Sequence, residues 1–131
     1  MTAGERSSLL TNRKEAEVIS ALSLSVDEGT PIFLGETNIN HILKRHPVDF
    51  GKYGEYIELI VRCPDYVGLN PKDQSIEYVK EFLIENEFVK VAVRVSASGK
   101  YFARSLYVLN TNRVNNFISN GSLRPLTKCN E

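Results

Sequence analysis

Apolar positions in this chain change period partway along, from three-and-four spacing to alternation, and the change divides a helical first part from a stranded second part. Within the first 29 residues, Val18, Ile19 and Leu22 share one face of a run from Arg13 to Leu24. Thr11 or Asn12 can cap it and Gly29 closes it, which predicts one amphipathic helix in an N-terminal extension or linker, residues 1–29. A compact domain is expected over residues 30–131. Pro31 to Gly35 is short and apolar enough for a strand or an extended lead-in. Thr37 offers the N-cap of a helix ending near Arg45, because Pro47 pushes His46 out of the helical region. Tyr56, Leu59, Ile60 and Cys63 recur at helical spacing in a second helix from Lys52 to Arg62, which Pro64 stops.

After Pro64 the period falls to two. Tyr66 to Leu69, Ser75 to Ile84, Phe88 to Ser96 and Tyr101 to Asn110 are rich in Val, Ile, Tyr and Phe and are separated by Asn-Pro, Glu-Asn-Glu and Ser-Gly breaks. They read as an antiparallel meander. Thr111 then caps a last helix in which Val114, Phe117 and Ile118 make one stripe before Gly121. Helices followed by strands predict the α+β class, with N-terminal helices packed on one face of a four-stranded antiparallel sheet and a helix at the C-terminus.

A two-residue turn at Ser98-Gly99 fixes a register by counting. One face then receives Val89, Val91, Val93 and Val95 with Phe102, Arg104, Leu106 and Val108, and must be the core. The other receives Lys90, Ala92, Arg94 and Ser96 with Tyr101, Ala103, Ser105 and Tyr107. Arg104 breaks the apolar pattern. Either it lies near a sheet margin, or a bulge at the turn moves Arg104 and Leu106 to the polar side. The preceding strand has two readings as well: a two-residue turn sets Glu77 and Glu81 beside Lys90 and Arg94, and a three-residue loop sets Tyr78 and Lys80 there.

Charge gives that polar face a meaning. Residues 88–131 hold seven Lys or Arg against one acid, a net +6, while residues 1–87 hold nine basic and fifteen acidic residues, a net −6. The formal neutrality of the chain conceals a cationic half suited to a phosphate-bearing ligand. No apolar run approaches the roughly 18 residues of a membrane span. Met1 to Asn12 lacks the apolar segment of a secretory signal, so cytoplasmic residence without a membrane partner is expected. Cys63 and Cys129 lie too far apart for a metal motif; Cys63 reads as buried and structural, Cys129 as incidental in a frayed tail.

Only two histidines exist, His41 and His46, five residues apart. Ligands on one helix face prefer spacings of three or four, so no metal and no other cofactor is expected. As proton-transfer groups beside a cationic sheet they suit metal-free RNA cleavage, in which a base takes the ribose 2'-hydroxyl proton, cations stabilise the phosphorane and an acid protonates the departing 5'-oxygen. His41, His46, Lys90, Arg94, Ser105 and Tyr107 are the candidate catalytic residues. Lys80, Arg104 and Arg113 are candidate substrate-binding residues.

From Pro31 onward the order of pieces PIFLGE, NINHILKRHP, VRCPDYV, SIEYVKEFL, RSLY and TNR resembles the phage-type branch of the barnase, EndoU, colicin and RelE-like ribonucleases, over about 90 residues. The resemblance implies a small α+β endonuclease that is metal-independent and toxin-like. His41 and His46 match the helix histidine region, and Ser105 and Tyr107 a hydroxyl-x-Tyr pattern on the last strand. Its expected partners are RNA, such as tRNA or another looped or single-stranded molecule, and an immunity or antitoxin protein. A non-catalytic module binding RNA or an acidic protein through the same face is the alternative.

Overall fold

A computed structural model describes residues 7–10, 15–26 and 29–129. The proposed caps Thr11 and Asn12 lie outside the described residues. In chain order the elements are β1 (Ser7–Leu10), α1 (Glu15–Leu22), β2 (Ile32–Gly35), α2 (Glu36–Arg45) and α3 (Pro47–Tyr53). A 3-10 turn at Gly54–Tyr56 leads into α4 (Ile57–Arg62), followed by β3 (Tyr66–Leu69), β4 (Ile76–Phe82), β5 (Glu87–Val95), β6 (Tyr101–Leu109), α5 (Thr111–Ser119) and β7 (Arg124–Pro125).

The α+β class is as expected, and the four-strand meander β3 to β6 is present, but the sheet is larger. Among the described residues it has seven strands in the order β1-β2-β6-β5-β4-β3-β7, curled into a half-barrel. It is mixed, because β2 runs parallel to β6 through Ile32↔Tyr101 and Phe33↔Phe102. Of the three strands beyond the meander, β2 falls on the Pro31–Gly35 segment expected as a strand or lead-in, while β1 and β7, with four and two residues, are too short for a period-two pattern to stand out from a loop. Pro47, whose fixed φ suits the first turn of a helix, starts α3 directly after His46. The second helix therefore begins earlier than Lys52 and is broken at Gly54.

Val18, Ile42, Ile57, Ile60 and Val61 from α1, α2 and α4 pack with Tyr78, Val89, Val91, Val93 and Leu106 in the main core. Val79 and Phe88 point to the opposite face, where Val114 of α5 and Leu123 cover them. Helices thus occupy both faces rather than one. α5 walls one end of the sheet's second face, and the remainder of that face is open. None of the helices among the described residues is long and apolar enough to cross a membrane.

The expectation for the cysteines is overturned. Cys63 is buried, but it is joined to Cys129 by a disulfide with Cα atoms 5.9 Å apart. The tail is brought back by short-range pairing: β7 adds to β3, Leu126 N–H donates to Asp65 O at 3.0 Å, and Thr127 donates from its amide and hydroxyl to Glu17, both at 2.8 Å. Gly68 permits this approach, since a Cβ there would lie 2.6 Å from Ser122 O. Closing a loop of 66 residues restricts the unfolded chain by about 4 kcal/mol. Cys129→Ser, or reduction of the native protein, is expected to lower unfolding stability by up to about that amount, seen as a fall in the denaturant midpoint. An unchanged midpoint would mean that β7 and Glu17 hold the tail unaided.

Candidate active site

The site is built on the β5–β6 hairpin. Ser96 N–H donates to Lys100 O at 2.7 Å and Gly99 has φ 84°, so the turn is a three-residue loop, Ala97-Ser98-Gly99, with glycine in the left-handed position. That loop shifts the strands by one residue against the two-residue expectation. The shift is undone inside β6: Ala92 pairs with Ser105 but Val93 pairs with Ala103, leaving Arg104 as a bulge without a partner. Beyond the bulge the expected pairs Lys90↔Tyr107 and Val91↔Leu106 hold. On the turn side they do not, and Ala103 enters the core while Phe102 pairs with Arg94. Leu106 stays buried. Arg104 leaves the apolar side, and Phe102 on the turn side of it does so too, while Leu106 does not, because the bulge lies in the strand rather than at the turn.

β4 settles the second ambiguity. A loop of residues 83–86, with Asn86 at φ 55°, sets Val79 opposite Lys90 and Glu77 opposite Ala92. Glu77 therefore stands beside Lys90, Nζ to Oε2 3.0 Å. Glu81 lies further along, opposite Phe88. Lys80 points the other way, and its Nζ donates to Cys63 O at 2.9 Å at the end of α4.

The histidines come from the far side of β6. Since β2 leaves β6 after two residue pairs, the next stretch of that edge needs other partners. Asp49 of α3 supplies one, its Oδ2 accepting from Val108 N–H at 3.0 Å. At the other end of α3, Lys52 and Tyr53 donate to Glu87 Oε1 at the start of β5. Lys52 first, then the Tyr53 hydroxyl, holds the Glu87 carboxyl below its ordinary pKa; burial, then Glu87, pushes Tyr53 up to about 12. Tied at both ends, α3 fixes His46 at its N-terminus. The His46 ring stacks on Tyr107 with centroids 5.1 Å apart, and Ile42, buried in the core, anchors the α2 turn that carries His41.

Lys90 lies under this stack, its Nζ 4.7 Å from the Tyr107 ring centroid. Burial alone would lower its pKa, but the Tyr107 hydroxyl and the Glu77 carboxylate outweigh burial and raise it, so Lys90 is a held cation. Arg94 Nη1 lies 3.6 Å from Asp73 Oδ2, and hydrogen bonds from the Ser75 hydroxyl and amide keep Asp73 below the usual carboxylate range.

A cleft of about 460 Å³ is lined by Thr37, Asn38, His41, Arg94, Arg104 and Ser105, among others. A recess of about 260 Å³, reaching Arg45 and His46, shares His41, Arg104 and Ser105 with it. Arg104 Nε is shut away from solvent and has no hydrogen-bond acceptor among the described residues. A charged donor without an acceptor carries a desolvation cost that an anion reaching the guanidinium would offset. Of the sequence-predicted residues, His41, His46, Arg94, Arg104 and Ser105 gather here. Tyr107 and Lys90 border the gathering, Arg113 lies in the next cleft along, and Lys80 is outside it. Asp49, Thr37, Asp73 and Ser75 were missed. Nothing in their local sequence separates them from surface polar residues. The N-cap of α2 is Gly35 rather than Thr37, which lies in the first turn, and Asn38 Oδ1 accepts from Gly35 N–H at 2.9 Å.

The family model described as phage-Barnase-EndoU-ColicinE5/D-RelE like nuclease3 matches residues 10–116. The chain belongs to this nuclease family. No curated protein and no solved structure matches it. The matched stretch runs from the end of β1 into α5 and takes in both histidines, the bulge and the cleft. Membership implies a nucleic-acid substrate, which agrees in charge with the open sheet face. In this chain Asp49→Ala is expected to leave Val108 N–H unpaired, at a cost of about 1–2 kcal/mol in denaturant unfolding, and to release His46 from Tyr107. The release is read from loss of the ring-current shift on the His46 ring protons; retention of that shift would show that Pro47 and Ile42 position His46 without Asp49.

Proposed function

We propose that this nuclease is a metal-independent endoribonuclease that cuts RNA by attack of a ribose 2'-hydroxyl on the adjacent phosphate. The observation that carries the reading is the recess in which Arg104, whose Nε has no acceptor among the described residues, meets His41, His46 and Ser105. A phosphate seated there receives Arg104 and, from across the strands, Arg94, with Ser105 donating a further hydrogen bond. The 2'-oxygen forms a bond to phosphorus as the bond to the 5'-oxygen breaks. One histidine takes the 2'-hydroxyl proton and the other delivers a proton to the departing 5'-oxygen. The products are a 2',3'-cyclic phosphate and a free 5'-hydroxyl.

Tyr107 keeps the His46 ring in place, and Lys90, neutralised by Glu77, steadies Tyr107 rather than meeting the phosphate. Arg113 holds the strand further along. Lys80 has no part in this scheme, its ammonium being engaged at the end of α4. A toxin-like role is part of the reading, with an acidic immunity or antitoxin protein covering the same cationic face. For residence, the Cys63–Cys129 bond favours an oxidising compartment over the cytoplasm.

Incubation of the protein with total RNA in excess EDTA tests the scheme. Cleavage is expected to survive the chelator and to leave cyclic phosphate ends. His41→Ala, His46→Ala and Arg104→Ala should each reduce kcat/KM by about 100-fold or more, and Tyr107→Phe by less. A bell-shaped pH–rate profile should lose one limb in each histidine variant. RNA that is bound but never cut, across folded and single-stranded substrates, would instead identify a non-catalytic binding module.

A further inference from the structure

The open face continues past Tyr107 into a second cleft of about 550 Å³, open to solvent and lying between the sheet, the segment Leu69 to Lys72 and α5. We infer that this cleft is a nucleobase subsite, which takes one unpaired base beside the scissile phosphate and selects it through Glu77. The inference rests on the ribonuclease reading and extends it to substrate class.

Position comes first. Tyr107 is two residues from Ser105 on the same face of β6, about 7 Å along the strand, so the second cleft begins one nucleotide's reach from the phosphate cleft. Shape follows from packing. Leu109, Phe117 and Leu123 give the cleft apolar walls, and the wall is fixed because Val114 and Leu123 are buried against Val79 and Phe88. A flat ring with apolar faces fits such a slot.

The chemistry at its edge is directional. Glu77 Oε2 receives both Lys90 Nζ, at 3.0 Å, and Asn70 Nδ2, at 3.3 Å, which hold the carboxylate in one orientation. No hydrogen bond among the described residues reaches its other oxygen, Oε1. A carboxylate at the cleft lining with one oxygen left unbonded accepts from the amino group of a base edge and repels a carbonyl. Guanine, adenine and cytosine carry such an amino group; uracil does not. At the mouth, the Arg113 guanidinium lies 5.9 Å from the Phe117 ring centroid, where it can stack on an entering base or meet its phosphate. A base can occupy this slot only when it is turned out of a helix, so the substrate is single-stranded or looped RNA.

The test uses four single-stranded oligoribonucleotides that differ in one base beside a single cleavage position, with a parallel titration of the four nucleoside monophosphates. Wild type is expected to cut the three amino-bearing substrates about tenfold better than the uracil one. Phe117→Ala should raise KM about tenfold, and Glu77→Gln, whose amide presents a donor as well as an acceptor, should flatten the preference. Arg113→Ala, at an exposed position, should weaken nucleotide binding even where Phe117→Ala does not fold. Cleavage without base preference, unaffected by Arg113→Ala, would overturn the subsite and leave the ribonuclease reading standing. Should no RNA be cut, that reading falls and the titration decides: binding that discriminates against uridine monophosphate and is weakened in Arg113→Ala supports the subsite, and indiscriminate binding overturns it.

Discussion

A β-strand that buries one face can tolerate an arginine among its inward positions only if the backbone gives way at that residue. In β6 it does: Arg104 has no partner across the hairpin, while Ala103 and Leu106 on either side are fully buried. Burying the guanidinium in the valine core would cost several kcal/mol, so one unpaired residue is the smaller expense. The consequence reaches the whole open face. Arg104 and Ser105 come to the same cleft, and every residue beyond them, Tyr107 included, keeps the register that faces Lys90.

The cations of the basic half are not equivalent. Lys90 is paired with Glu77, Arg94 with Asp73, and Lys80 is spent on a helix end. Among the described residues Arg104 has no such acid, and its Nε has no acceptor of any kind. The electrostatic focus of the sheet is therefore narrower than the +6 segment, and it coincides with the place where both histidines arrive. His41 is carried by α2, anchored through Ile42, and His46 depends on α3, whose Asp49 replaces a missing strand at the β6 edge and whose Lys52 and Tyr53 grip Glu87.

Much of the face was legible in the sequence, and for a physical reason. The pairs Lys90↔Tyr107 and Ala92↔Ser105 follow from counting back from Ser98-Gly99, although the count was right only because a longer turn and a bulge cancel. Arg104 itself, as the one charge in an apolar alternation, signalled the bulge without locating it. The disulfide was not legible, since 66 intervening residues say nothing of proximity and the contacts that bring Cys129 back, from Thr127 to Glu17 and from β7 to β3, join residues far apart in the chain. The parallel β2–β6 pair was equally silent, being two residues long. Asp49 resembled any surface acid of a first helical turn; its role exists only because β2 stops short.

Arg104 is the centre of the account, and its Nε–H is directly observable by nuclear magnetic resonance. Titration of the protein with a nucleoside 2',3'-cyclic phosphate should move the Arg104 Nε–H resonance strongly downfield and slow its exchange with water, as the orphaned donor gains its acceptor. Smaller shifts are expected at the His41 and His46 rings, and none at Lys80. An Arg104 signal that stays in place while the ligand binds elsewhere on the sheet would contradict the account.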